Sequence, residues 1–248
     1  MQRYFIEQDL HQTILFTLNS DDNHHLIRVM RARVNDKVFV VDVNHNVFIS
    51  ELVTIDNNIG QLEVVEQIDE KKELPIDVTI ACGLSKNDKI DFIVQKGTEC
   101  GMSQFIPLSL ERDVVIWRGN KVQNKVERLQ KNVKEAAEQS HRTWIPQVDA
   151  LTNLDSLIKD NDKFDHKLIA YEETAKNNKH GQLKETLLKI KEGESLIIVF
   201  GSEGGLSPLE VEKLKEVGYI ECSLGPRILR SETAPIYALS AISYQFEC

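Results

Sequence analysis

Apolar positions along the 248-residue chain change period part-way through. Up to about residue 70 they fall in short runs rich in Val and Ile: KVFVVD at 37–42, VFISELVTI at 47–55 and QLEVVEQI at 61–68. The turn-like NHN and NNIG separate them, which predicts β-strands joined by tight connections. In the last run Leu62 and Val64 alternate with Glu63, the pattern of a half-exposed strand. One helix is predicted among the strands. Asp21 or Asp22 can cap it, and NHHLIRVMR puts Leu26, Val29 and Met30 on one face. Many short strands with one helix predict a small barrel.

The segment Asp69–Pro75, DEKKELP, is charged, ends in Pro and marks the change, so the expected border lies at Lys72, with domains at 1–72 and 73–248. Beyond it strands alternate with helices. IDVTIACGL reads as a buried strand, and SKNDKIDFIVQKGTECG as a helix ending at Gly101. QFIPLSL is the next strand, NKVQNKVERLQKNVKEAAEQS a long helix, and KLIAYEE, SLIIVF and YIECSL are further strands. That alternation predicts an α/β domain with a parallel sheet.

Composition narrows the function. Apolar residues make up 41% and charged residues 28%, enough for a core, while the net charge of -9 argues against nonspecific coating of nucleic acid but not against a local basic patch. The N-terminal MQRYFIEQDLHQTILF lacks the pattern of a signal peptide, and no apolar run approaches the roughly 20 residues of a membrane span. Cys82, Cys100, Cys222 and Cys248 are scattered, as expected of reduced thiols in a cytoplasmic protein. No Cys or His spacing suits zinc, and the adjacent His24 and His25 do not share a helix face, so no metal is expected.

Two strand–loop–helix units in succession carry the candidate chemistry. In the first, the strand at 197–200 enters Gly201-Ser202-Glu203-Gly204-Gly205, and a helix opens with Ser207 as N-cap, Pro208 at N1 and Glu210 at N3, a capping box; Gly218 ends it. A glycine-rich bend at the carboxyl end of a parallel strand is where open α/β sheets bind ligands, and glycines let the backbone come close. No P-loop and no G-x-G-x-x-G is present, and Glu203 disfavours a triphosphate, so a neutral or cationic ligand fits better. In the second unit, YIECSL leads through LGPRILR into the helix SETAPIYALSAISYQF, with Pro235 in its first turn. Two such loops at one sheet edge could enclose one ligand. Arg227 and Arg230 would face outward, suited to a phosphate or a base edge, or would pair on the surface with Glu232 or Glu221. Basic groups recur in HHLIRVMRAR (Arg28, Arg31, Arg33), at Lys121, Lys125 and Arg128 in the long helix, and beside Trp144 in EQSHRTWIP. These are either solvated faces or an RNA-binding pattern.

Together GSEGGLSPLE at 201–210 and LGPRILRSETA at 224–234 resemble the RsmE family of 16S rRNA (uracil(1498)-N(3))-methyltransferases, of the SPOUT superfamily. SKNDKIDFIVQKGTECG, IPLSLERD and EAAEQSHRTWIP support the resemblance in the family's order over nearly the whole chain. Departures are mild: Ser202 where Pro is frequent, Ser231 where Thr is common, and His141 where Gly is frequent. The resemblance implies an N-terminal PUA-like β-barrel, a C-terminal SPOUT domain with a deep trefoil knot, and a homodimer. It implies S-adenosylmethionine (SAM) as cofactor, held by Gly201, Glu203, Gly204, Gly205, Leu224, Gly225, Ile228 and Leu229. It implies 16S rRNA in the small ribosomal subunit as the partner, contacted by Arg28, Arg31, Arg33, Lys86 and Arg112. With the active site at the subunit interface of the dimer, Arg230, with Arg142 nearby in the dimer as second candidate, is expected to stabilise the anion formed at the target base; the base is left open among Glu232, Glu138 and bulk water. The alternatives are a SPOUT enzyme acting on another RNA position and a ribosome assembly factor without chemistry.

Overall fold

The computed structural model describes residues 1–86, 88–119, 121–172 and 182–248, and it divides into two compact units. The first takes in Met1–Glu73 together with Ala137–Trp144; the second takes in Leu74–Ala136 and Ile145–Cys248. Asn87 and Asn120, placed in expected helices, and Glu173, at the end of an expected strand, lie outside the described residues.

The first unit is a five-stranded sheet of β1 (Arg3–Phe5), β2 (Leu15–Phe16), β3 (Lys37–Val41), β4 (Val47–Asp56) and β5 (Ile59–Ile68), in the order β1-β3-β4-β5-β2. Only β1 and β3 run parallel. Two register shifts between β4 and β5 bend that pair, as bulges do. Every strand sends side chains into one core, Tyr4, Phe16, Val38, Val40, Phe48, Leu52 and Leu62 among them, which is how a small barrel closes over its interior. The helix is α1 (Ser20–His24), continued by a π-turn at His25–Val29. Asn19 caps it, accepting the Asp22 N–H at 2.9 Å; Asp21 and Asp22 fall in its first turn, not at the cap. Leu26 is buried, but Val29 and Met30 are exposed, against the expected shared face. The π-turn shifts the hydrogen bonding to Met30 N–H···O=C His25, so the 3.6-residue period no longer applies there.

A border at Lys72 alone leaves out a returning segment, and two side chains explain why 137–144 belongs to the first unit. Arg3 is buried; its guanidinium donates to the carbonyls of His141 and Arg142 at 2.9 and 3.1 Å and pairs with Glu70 at 2.5 Å. The Glu73 carboxylate accepts five hydrogen bonds: from Arg142 Nε and Nη2, from Thr143 N–H and Oγ1, and from Trp144 N–H. His141 lies between these ties at φ 59°, a left-handed conformation that glycine adopts without strain. The imidazole of His141 packs edge-on against Phe39.

The second unit is a wholly parallel sheet of β6 (Asp77–Gly83), β7 (Gln104–Ser109), β8 (Gln147–Val148), β9 (Thr152–Asn153), β10 (His166–Ala170), β11 (Ser195–Phe200) and β12 (Ile220–Cys222). Its order is β12-β10-β11-β6-β7-β8, with β9 also on β7. Residues of β11 alternate between two buried faces: Leu196, Ile198 and Phe200 on one, Ile197 and Val199 on the other. A strand covered on both sides needs a continuous apolar run, and SLIIVF supplies it. The first face is covered by α2 (Lys89–Glu99), α3 (Lys121–Gln139), α5 (Gln182–Leu187) and α7 (Thr233–Glu247), the second by α4 (Leu154–Lys159) and α6 (Pro208–Glu216). Helix α6 carries the expected capping box, with Ser207 Oγ accepting from Glu210 N–H at 3.3 Å and Glu210 Oε2 from Ser207 N–H at 2.8 Å; the Ser207 cap contributes about 1 kcal/mol.

Removing the Glu73 carboxylate would take an ion-pair partner from a guanidinium that is only 4% exposed. Glu73→Ala is expected to lower stability by about 3 kcal/mol, the scale for breaking a buried ion pair. Urea unfolding checks this; an unchanged midpoint would mean the segment is held some other way.

Candidate active site

The carboxyl ends of three adjacent strands, β12, β10 and β11, open onto one cavity of about 480 Å³ in the second unit. Its walls are the loop after β11 (201–206), the loop after β12 (223–231), Ala170–Glu172 at the end of β10, and Lys89 at the start of α2. All eight residues expected to hold a cofactor line it, and so do Arg227 and Arg230.

The glycines of this loop line the cavity and also lie against the chain's own backbone. A Cβ on Gly204 would lie 2.4 Å from the Arg112 carbonyl oxygen, and one on Gly201 2.5 Å from the Gly205 carbonyl carbon. Gly83, at the end of β6, comes similarly close to the Ser202 nitrogen, 2.6 Å from the Cβ it lacks. These three let the protein's own backbone close up around residues 201–206. Gly205, at φ 70° with open space beside it, and Gly225, at φ 105°, are the ones whose backbone conformation requires glycine. The loop after β7 fastens the same turn. Arg112 Nη1 donates to the Leu206 carbonyl at 3.2 Å, and Glu210 Oε1 accepts the Glu111 N–H at 2.8 Å. Asp113 accepts the N–H groups of Leu84 and Leu110, and burial raises its carboxyl above the usual range.

Lys89 joins the two long walls. Its ammonium lies 3.1 Å from Glu203, 3.0 Å from Glu232 and 3.4 Å from Ser231 Oγ. Glu203 also accepts the Lys86 N–H at 3.1 Å, and Ser231 Oγ donates to Glu232 at 3.2 Å. Partial burial works against all three charges, yet the mutual hydrogen bonds win: both carboxyls stay below the usual Glu range and the ammonium above the usual Lys range. Glu232 is thus ionised at neutral pH and engaged with Lys89, while Glu221 pairs with Lys215. Arg227 and Arg230 are exposed at the rim and make no ion pair among the described residues. Ile228 is 75% exposed, so as it stands it is more a flap than a wall; Leu224 and Leu229 are half-buried.

The remaining expected site residues lie elsewhere. Arg142 belongs to the first unit and does not line the cavity of its own chain; its guanidinium donates to Glu73. Glu138 is in the first unit too. Arg28, Arg31 and Arg33 are exposed on the first unit, Arg31 past the helical turn at φ 55°; Lys86 and Arg112 are exposed on the second. Lys89, Tyr171 and Glu172 were not expected. Tyr171 and Glu172 follow from the rule that ligands sit at carboxyl strand ends, since β10 was itself legible. Cys222 lines the cavity, but burial pushes its thiol up to about 12, which makes it an inert wall. Among the described residues no group of three or more His, Cys, Asp or Glu could hold a metal ion, and no helix is long and apolar enough to cross a membrane.

Known proteins share this arrangement. The RNA methyltransferase domain family matches residues 72–243, and the RNA methyltransferase PUA domain family matches 18–65. The ribosomal RNA small subunit methyltransferase E of Bacillus subtilis (strain 168) is 42% identical over 100% of this chain and 98% of its own length. The chain belongs to the RsmE family of RNA methyltransferases. A crystal structure of a protein described only as hypothetical is 41% identical, with a TM-score of 0.92 over 99% of both chains. The RsmE protein of Neisseria gonorrhoeae, solved bound to S-adenosyl methionine, is 27% identical, with a TM-score of 0.83 over 98% of this chain and 97% of that one. The fold is that of the family, a PUA-like N-terminal barrel followed by a SPOUT α/β domain.

The Lys89 triad has a pH signature. Glu203 and Glu232 have lowered values in the fold, so their contribution is present above the unfolded value of about 4.3 and is lost as pH falls through the folded values. Lys89 has a raised value, so its contribution is present below about 10.4 and is lost as pH rises through the folded one. The stability difference between the wild type and Lys89→Met should therefore be a plateau around neutral pH that shrinks on both sides. A difference independent of pH in urea titrations would show that Lys89 contributes packing and not charge.

Proposed function

We propose that this chain transfers the methyl group of SAM to N3 of one uridine in the 16S rRNA of the small ribosomal subunit. The observation that carries the proposal is the glycine-built cavity at the carboxyl edge of β12, β10 and β11, in a chain of the RsmE family. The cavity suits SAM. Its volume is in the range of small-molecule sites, and Glu203 on its wall tolerates a cation. Backbone groups of Gly201, Gly204, Gly205, Leu224 and Gly225 would hold the cofactor, with Leu229 and the exposed Ile228 packing on its apolar parts. SAM supplies a sulfonium methyl that is already activated, so the protein's task is mainly to position the two partners.

N3 of uridine carries a proton and gains negative charge, spread onto O2 and O4, as that proton leaves. Arg230, exposed at the rim and without a carboxylate partner, is the group we assign to that charge. Glu232 is ionised beside it and can accept a hydrogen bond from N3–H; held low by Lys89 and Ser231, it is a weak base, so the proton passes on to water. N3 lies on the Watson–Crick edge, so the target nucleotide must be unpaired or turned out. Residues 1–72 serve as the RNA-holding domain, through Arg28, Arg31 and Arg33, and 73–248 as the catalytic domain, with Lys86 and Arg112 on its RNA side. A substrate in the small ribosomal subunit puts the enzyme in the cytoplasm, which cell fractionation checks.

Arg230→Ala is expected to bind SAM within about twofold of wild type by calorimetry while turnover on small subunits falls about 100-fold or more, the usual cost of losing a group aimed at developing charge. Unchanged turnover would refute the role of Arg230. The proposed enzyme is a homodimer. Phe92 on α2 and Tyr237 and Tyr244 on α7 are exposed aromatics on helices that pack together, a surface of the kind a second copy covers. Light scattering should give a dimer that Tyr244→Glu weakens; a monomeric wild type would contradict this.

A further inference from the structure

Two exposed rings of the first unit have no part in that reaction. Trp144 is 41% exposed, and its ring centroid lies 4.5 Å from that of His45 at a tilt of 47°. Neither ring is loosely placed. The Trp144 N–H is fixed to Glu73 at 3.1 Å. His45 sits in the turn between β3 and β4 at φ 64°, a left-handed conformation that is costly for a residue with a side chain. The buried Asp42 holds that turn: its Oδ1 accepts the N–H groups of Asn44 and Asn46, each at 2.9 Å, and its carbonyl accepts the His45 N–H at 3.0 Å. These turn hydrogen bonds fix the backbone from which the His45 ring projects.

Beside His45 lies a second cavity, of about 400 Å³, lined also by Asn46, Gln67, Asp69 and Glu70. Its polar lining is rich in acceptors. Glu70 is already paired with Arg3, whereas Asp69 is exposed and has no partner among the described residues. Gln67 donates to Asn46 Oδ1 at 3.3 Å, which leaves the Gln67 carbonyl oxygen able to accept. An aromatic platform beside acceptors suits a flat, neutral group that carries N–H donors. It does not suit a phosphate, which Asp69 would repel; Lys71 and Lys72, which follow in the chain, are exposed.

We propose that this site holds an unpaired nucleobase bearing an exocyclic amine, stacked on the His45 ring, which Trp144 backs, with its amine donating to Asp69. The proposal rests on RNA being the substrate and deepens that reading: the held nucleotide is a second one, distinct from the methylated uridine. Uracil lacks the amine and is disfavoured, whereas stacking alone would be tolerant of sequence.

Fluorescence anisotropy of dye-labelled hexacytidylate and hexauridylate on the full chain tests this, because both probes carry the same phosphates. Hexacytidylate is expected to bind at least about fivefold more tightly, the low end of what a correct base edge gives. His45→Ala and Trp144→Ala should each weaken hexacytidylate by at least about fivefold, while Trp144→Phe stays within about twofold, since a stacking face remains. Asp69→Ala should bring the two probes within about twofold of each other. Should Trp144→Ala fail to fold, His45→Ala and Asp69→Ala carry the test. Equal affinity for the two probes in the wild type, or no loss in His45→Ala, overturns the site. SAM binding and methyl transfer on the same preparations separate the two readings. A cytidine preference without transfer keeps the site and removes the catalytic reading; transfer without a preference removes the site alone.

Discussion

Lys89 Nζ lies about equally far from Glu203 and Glu232, and through it the loops after β11 and β12, the two longest walls of the cavity, are tied to the start of α2. One ammonium between two carboxylates leaves the triad itself with one net negative charge, which the Arg227 and Arg230 side of the cavity offsets. The same pairing keeps Glu232 engaged and leaves Arg230, two residues away, without a carboxylate of its own. The electrostatics of the cavity therefore depend on how this triad is satisfied. The steric counterpart is the close approach at Gly83 and Gly204, where any side chain would push residues 201–206 off the backbones of β6 and the loop after β7, and at Gly201, where it would meet Gly205 and Leu206 within the loop.

The first unit rests on a similar device. Arg3 and Glu73 stand near the two ends of its main segment, and each binds residues of the returning piece 141–144. A buried guanidinium and a carboxylate with five donors fix where Trp144 emerges, and so fix the ring that meets His45. Both units thus use a charged group shared among several partners to set the position of a surface loop.

Much of this was legible in the sequence. The runs that became β3, β4, β5 and β11 were read nearly to their ends, because alternation or a continuous apolar run is decisive there. The capping box at Ser207 and the turn glycines at Gly101 and Gly218 have a local cause and were read correctly. The strands β1, β2, β8 and β9 were missed because two or three residues carry no period, and their pairing comes from tertiary contact. Leu26, Val29 and Met30 were put on one face because a π-turn leaves no sequence mark. Gly201 and Gly204 line the cavity and also lie against the chain's own backbone, a second role that no local pattern marks. Lys89, Glu203 and Glu232 meet from three distant stretches, and no spacing rule brings them together. Nothing local marks Glu73 as a partner of Arg142.

Labelled SAM incubated with small ribosomal subunits from cells lacking this protein, followed by mass spectrometry of the digested nucleosides, tests the central claim most directly. N3-methyluridine at a single site is the expected product. A 2′-O-methyl nucleoside would contradict the assigned position, and no incorporation by a preparation shown to bind SAM would contradict the assigned reaction.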